Sequence, residues 1–448
     1  MPVDLVLYNA KIYSKGEITE AGLAIENGKI AKIAKETLLP KASKRINLHG
    51  CLMLPGLIDV HVHLRDQNLA YKEDFYTGTA AAVAGGVTLV VDMPNNEPVT
   101  MSPSALKERM KLAEKRMLCN VAFFSAFPKT LAEIPDIIAS GAIAFKLYLI
   151  KQIGGVNIES DEALLQAFRE IKKHNVLVAV HAEDRTTVEK VQENLKRKGC
   201  KDIDAFLEAH SAHAEKIAVE RILKIVKETW VPVHFCHVSI KQGLAAIKKA
   251  KNSKVPVTCE VTPHHLFLSA KHLKQGGLMF LTDPPLRKED DVKALWNALK
   301  LGEIDIIASD HAPHALEEKS ADSVWDAKTG VAGLETTLPL LLTKVNEGKL
   351  SLQEMVHLTA EKPAEIFRLK NRGRLEEGCF ADVVVVDMSK EDVIDASKFH
   401  SKAKFSPFDG WKVKGKPTKT FVNGELVMEE GEIIAKPGTG KIVFGSRG

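Results

Sequence analysis

Eight compact apolar runs follow one another through the middle of the chain: LIDVHVHL, VTLVVDM, NVAFFSAF, AIAFKLYL, VLVAVHAE, VPVHFCHV, VPVTCEVT and IDIIASDH. They alternate with segments of helical spacing such as SPSALKERMKLAEKRM, SDEALLQAFREIKKH and SIKQGLAAIKKAK, the pattern of a parallel sheet with crossover helices. Ser102, Ser160 and Ser239 stand where N-caps belong, and Pro103 occupies the first helical position. Eight strands with helices predict an α/β fold, a (β/α)8 TIM-type barrel over about residues 55–370. The two ends read differently. Asn27-Gly28 separates LAIE from KIAKIAK, and Asn423-Gly424 separates KTFV from ELVM, so both ends predict β-hairpins. Residues 1–54 and 371–448 are assigned to one small, composite, β-sandwich-like domain.

Composition narrows the class without changing that picture. The 448 residues suit a large barrel with a satellite, and an apolar fraction of 45% supports a sizeable core. Lys and Arg total 62 against 58 Asp and Glu, and the two signs are interspersed, which argues against a nucleic-acid surface. The N-terminus lacks a basic segment followed by an apolar one, and no apolar run reaches the length of a membrane span, so a soluble, cytoplasmic protein is expected. Six cysteines are scattered without CxxC spacing, which speaks against a disulfide framework and an all-thiolate zinc site.

Chemistry enters when polar residues are placed on the predicted strands, because active sites on this fold lie at strand C-termini. His61 and His63 close the first run, and alternation by two sets both imidazoles on one face while Val60 and Val62 face the helices. His181 ends the fifth run, His237 the sixth and Asp310 the eighth. Imidazoles plus a carboxylate form a ligand set suited to divalent ions such as zinc. A lone His-x-His is weak evidence, but five ligand-type residues at four strand ends are not. Lys146, at the end of the fourth run, would be repelled by such ions as an ammonium. As a CO2 adduct, N6-carboxylysine, it would instead bridge two of them.

With these residues in place the chain resembles the dihydroorotases of the amidohydrolase superfamily. The motifs are LPGLIDVHVHLRD, DMPNNEP, FKLYL, VHAED, CHVS, VTPHHLFLS, DPPLR, ASDHAPH, GVAGLET and SPFDGW, in register over nearly the whole length. The resemblance implies reversible closure of N-carbamoyl-L-aspartate to L-dihydroorotate in pyrimidine biosynthesis, and FKLYL resembles the branch with a carboxylated lysine. It supports His61, His63, Lys146, His181, His237 and Asp310 as ligands of two zinc ions. Arg65 carries a planar fork suited to a carboxylate at the same barrel mouth, and Asn95 and His314 match the family's other carboxylate contacts. Asp310 is expected to take a proton from the attacking water and deliver it to the departing ring nitrogen. Some relatives place a third zinc at a Cys, a Glu and the strand-five His, here Cys236, Glu260 and His181; a buried thiol and a supporting carboxylate are the alternative. His264 and His265 are expected to order their loop. Asp283 departs from the Asn of many relatives and, when ionised, only accepts. The segment 149–160, with Gly154-Gly155, reads as a closing lid or an ordinary loop. A dihydropyrimidinase, hydantoinase or allantoinase would share the metal site, and a non-catalytic assembly homologue would lack its ligands. The expected partner is a small-molecule substrate, with no nucleic acid or membrane. A homo-oligomer or a complex with a carbamoyltransferase stays open.

Overall fold

In the computed structural model, which describes residues 2–445, the eight runs form one parallel sheet in sequential order. Its strands are Leu57–Val62, Val87–Asp92, Asn120–Ala126, Ala144–Tyr148, Leu177–His181, Val233–Phe235, Val257–Val261 and Ile306–Ile307. The last strand is short, yet the sheet curls until its ends meet. Val62 bridges His311 in parallel, and the His63 amide donates to the His311 carbonyl at 2.9 Å. This is the expected barrel. Residues alternating along the strands separate into two clusters. Val90, Val121, Phe123, Phe145, Val178 and Phe235 pack outward with Leu106, Ile137, Phe168 and Ile222 of the helices. Ile58, Val60, Leu89, Val91, Ala122, Phe124, Ala179, Ile306 and Ala308 fill the lumen with Phe367 and Val443.

Val60 therefore points inward, not toward the helices. The pairing register of the first strand shifts between Asp59 and Val62. The buried Asp59 carboxylate causes or locks this irregularity, accepting from the His61 amide at 3.1 Å and from the Ser309 amide at 3.1 Å. Local side-chain bonding of this kind competes with the regular ladder.

Two of the three inferred caps form. Ser102 accepts from the Ala105 amide above Pro103–Glu114, and Ser160 accepts from the Ala163 amide above Asp161–Lys172. Ser239 does not cap the helix Lys241–Asn252, whose N-cap is Ile240. Its hydroxyl is drawn instead into the buried Glu215–Arg287 pair, donating to Glu215 and accepting from Arg287 Nε at 2.8 Å. A buried ion pair must have its remaining lone pairs satisfied, and that demand outweighs one helix cap.

The flanks build a nine-stranded mixed sheet in which Leu52–Pro55 lies between Val3–Ser14 of one flank and Val383–Val393 of the other. Both Asn-Gly hairpins are present, with Asn27, Gly28, Asn423 and Gly424 at φ of 50°, 75°, 49° and 82°, as two-residue turns require. The two turns touch: a side chain on Gly28 would meet the Asn423 carbonyl oxygen at 2.8 Å. Beyond the sheet the chain returns to the barrel base, where Val443 donates its amide to the Val121 carbonyl. Among the described residues no helix is long and apolar enough to cross a membrane.

Candidate active site

Five strand ends bring the proposed metal residues together at the C-terminal mouth. His61 and Lys146 lie within their strands, His181 ends one, and His63, His237 and Asp310 follow just beyond theirs. His237 and Asp310 adopt φ of 35° and 47°, and Arg65 adopts 53°, a backbone region that L-residues enter at a cost and retain mainly where the surroundings demand it. The rings of His61 and His63 are 5.4 Å apart, those of His61 and His237 5.2 Å, and those of His181 and His237 4.6 Å.

The protonation partners of these rings define what they can bind. His61 Nδ1 faces Glu260, and His63 Nδ1 lies 2.7 Å from Asn95 Oδ1. Their Nε2 atoms converge on Asp310 Oδ1 at 3.2 and 3.3 Å. Burial pushes His63 and His237 well below the ordinary imidazole range, so both are neutral and offer lone pairs. His237 Nδ1 is buried with no hydrogen-bond partner among the described residues, a cost that a bound cation would remove. His181 Nε2 is held by Glu183 at 2.9 Å. Lys146 is fully buried, forms no ion pair among the described residues, and sets its Nζ 2.8 Å from Cys236 Sγ. Imidazoles with outer carboxylate and amide partners suit a divalent metal, with Glu260 and Asn95 fixing which ring nitrogen faces it.

A cavity of about 890 Å3 opens over this cluster. Arg65, Asn95, Tyr148, Asp283, Asp310 and His314 line it together with His61, His63, His181 and His237. Arg65 is 6% exposed, donates Nε to the Pro313 carbonyl at 3.3 Å, and lies 3.4 Å from His314 Nε2. Asn95 lines the cavity and is tied to His63 rather than to Arg65.

Comparison with known proteins agrees with this geometry. The profile described as Amidohydrolase family matches residues 52–427. This chain belongs to the amidohydrolase family. The amidohydrolase is 40% identical to a dihydroorotase of Pyrococcus horikoshii, covering 98% of this chain and 96% of the relative. A dihydroorotase of Methanosarcina acetivorans is 37% identical over 99% of this chain and 96% of its own length. An L-hydantoinase of Paenarthrobacter aurescens is 34% identical over 98% of each chain. Among solved structures, the L-hydantoinase from Arthrobacter aurescens superposes with a TM-score of 0.95 at 34% identity, covering 99% of this chain and all of the other. The amidohydrolase is thus a hydrolase acting on cyclic amides.

Three further groups of ionisable residues surround the site, of which only the pair Cys236 and Glu260 was expected from the sequence. His210 Nδ1 stands 3.3 Å from Glu183 and 3.2 Å from Asp283. Burial opposes its charge, yet these two carboxylates raise it to about 10. Glu260, Cys236 and His61 form a second ligand-type cluster. His181 is not part of it, and both Glu260 oxygens are engaged, one with His61 and one with His234 at 3.0 Å. Lys72 lies beside His314 and Glu318 on the cavity wall. None of these pairings has a sequence period: Lys72 and His314 are separated by 242 positions. His265 does order its loop, with Nδ1 2.8 Å from Thr262 and Nε2 3.2 Å from the Pro284 carbonyl, whereas His264 Nε2 is buried without a partner. In the segment 149–160, Ile150 to Ile153 line the cavity, while Gly154 and Gly155 press on the backbone of residues 127–129 so closely that a side chain would clash.

Proposed function

We propose that this amidohydrolase is a zinc-dependent dihydroorotase, interconverting N-carbamoyl-L-aspartate and L-dihydroorotate in de novo pyrimidine biosynthesis. The observation that carries the reading is Arg65: a buried guanidinium in the cavity of the four histidines, with no carboxylate paired to it among the described residues. Burying an unpaired cation is costly, and a neutral hydantoin brings nothing to offset it. A ring carboxylate does. The dihydroorotase relatives support the same choice over the hydantoinase ones.

His61, His63, His181, His237 and Asp310 would hold two zinc ions, with Lys146 as the carboxylated bridge. Bound there, the ions supply a water acidified toward neutral pH and a Lewis acid for the amide carbonyl. The remaining work falls to side chains of the chain itself. Arg65, Asn95 and His314 bind the substrate carboxylate and so orient the reacting amide over Asp310. Asp310, whose carboxylate lies beside His61 and His63 on the cavity wall, takes a proton from the attacking water and passes it to the leaving ring nitrogen. In the biosynthetic direction Asp310 takes the proton from the ureido nitrogen instead. The Tyr148 hydroxyl, buried on the cavity wall with no hydrogen-bond partner among the described residues, would donate to the oxygen on which charge develops. Fully buried and without an ion pair among the described residues, Lys146 fits carboxylation better than an ammonium, and intact-mass detection of unmodified Lys146 in fully active protein would remove that part.

A third zinc between Cys236 and Glu260 is a second reading, favoured only by the proximity of His61 to both. Metal counting on Cys236→Ser decides it: a loss of one ion per chain supports the site, and an unchanged count removes it. The main reading is tested by a spectrophotometric assay on dihydroorotate and carbamoyl aspartate, with metal-stripped and zinc-restored protein and with dihydrouracil and hydantoin alongside. Zinc-restored protein that acts on neither acid would end the proposal.

A further inference from the structure

We propose that Lys72 is a specificity-determining residue, forming with Arg65 a two-cation clamp that admits cyclic amides bearing a ring carboxylate and discriminates against neutral ones. The inference rests on the dihydroorotase reading and adds a residue to it. Lys72 is 7% exposed and lines the same cavity as Arg65. Its Nζ lies 3.3 Å from His314 Nδ1 and 2.7 Å from Glu318 Oε1. Arg65 and Lys72 thus flank one imidazole, Arg65 3.4 Å from its Nε2, which also faces the Thr329 carbonyl at 3.0 Å, and Lys72 beside its Nδ1. Burial beside these cations holds His314 down to about 2, so the ring is neutral and carries a single proton.

The charge count is unbalanced. Arg65, Lys72 and Lys328 all line the cavity at this end, and the carboxylate paired with Lys72 is that of Glu318. That carboxylate is already shared: Glu318 also accepts from the Tyr71 hydroxyl at 3.0 Å, from the Ala315 amide at 3.1 Å, and lies 3.0 Å from His314 Nδ1. Asp310, the other anion on that wall, is occupied by His61 and His63. A substrate carboxylate entering beside His314 supplies the missing negative charge and gives the ammonium a second partner without breaking its bond to Glu318. An ammonium can donate three hydrogen bonds, so both anions can be served. A neutral ring leaves the imbalance in place.

The competing role for Lys72 is a strut that holds the short rim helix Leu316–Lys319 through Glu318. The two roles differ in sign at Glu318. Selectivity is read as the ratio of kcat/KM for dihydroorotate to that for dihydrouracil, measured on the zinc-loaded, full-length protein. Under the clamp, Lys72→Gln lowers the ratio about tenfold or more, chiefly through KM for the acid, as expected for loss of one charge-assisted contact. Glu318→Gln, which removes a competing anion but keeps an acceptor for Ala315, leaves the ratio equal or higher. Lys72→Arg, which keeps the charge, stays within about threefold of wild type. A ratio unmoved in Lys72→Gln, or an equal fall in Lys72→Gln and Glu318→Gln, overturns the clamp. If Lys72→Gln does not fold, a tenfold fall in a folded Lys72→Arg overturns it, and a retained ratio there with a raised or equal one in Glu318→Gln supports it. Wild type that opens dihydrouracil but not dihydroorotate removes the dihydroorotase reading itself, an outcome separate from failure of the variant series.

Discussion

At its N-terminal end the barrel lumen is closed by Phe367, Leu369 and Val443 over Ile58, Leu89 and Phe124, all apolar and all buried. The ring of Phe367 meets Phe124 edge-on at 5.8 Å. At the C-terminal end the same strands give way to four histidines, Lys146 and Asp310, with two of these six residues in left-handed backbone and a buried His237 nitrogen unpartnered. One sheet thus carries a satisfied end and an unsatisfied one. The contrast shows where this molecule gains stability and where it sacrifices some to hold chemistry in readiness.

The contrast breaks most visibly if the two ends can be damaged independently. Asp310→Asn is expected to lower kcat at least about a thousandfold, equivalent to about 4 kcal/mol of barrier, while metal analysis finds most of the ions retained; a fully active variant would refute the proton-transfer role. Phe367→Ala at the base is expected to cost about 3–4 kcal/mol of stability through cavity formation. Denaturant unfolding would show that loss, and kcat/KM of the folded fraction should stay near wild type. Arg65→Lys keeps the charge but loses the planar fork, so kcat/KM for carbamoyl aspartate should fall tenfold or somewhat more, about 1.5–2.5 kcal/mol, with metal content unchanged. An unaltered kcat/KM would count against Arg65 as the carboxylate contact.

The smallest effect concerns how the mouth is stitched to the long loop before the last hairpin. Glu335 accepts from the His400 amide at 2.8 Å and the Ser401 amide at 3.3 Å, and burial raises its carboxyl to about 7. An acid with a raised folded pKa holds a proton that the unfolded chain has already released. Its contribution is therefore most favourable below the ordinary value of 4.5 and declines as pH rises toward 7. Glu335→Gln should remove that decline, seen by comparing unfolding of variant and wild type at both ends of this window. Parallel pH curves for the two proteins would show that Glu335 does not titrate there.

Much of the fold was legible because its signals are local. Each barrel strand is a short apolar run, each Asn-Gly turn requires positive φ in adjacent residues, and Ser102 and Ser160 cap helices that begin beside them. The register of the first strand was not legible, because Asp59 takes its second partner from Ser309, 250 positions away. Ser239 misled for a related reason: its cap position is local, but the Glu215–Arg287 pair that claims it spans 72 residues.

Which side chains reach the mouth was readable from the chain alone, since His61, His63, Lys146 and His181 fall at or near the ends of short apolar runs. What those side chains and their neighbours meet was settled by three-dimensional packing: Glu260 behind His61, Asn95 behind His63, and Lys72 beside His314. The physical reason is barrel closure. Joining the first strand to the last juxtaposes loops that are remote in sequence, and electrostatic and hydrogen-bond partners are chosen by distance in space, for which no periodicity along the chain is a guide.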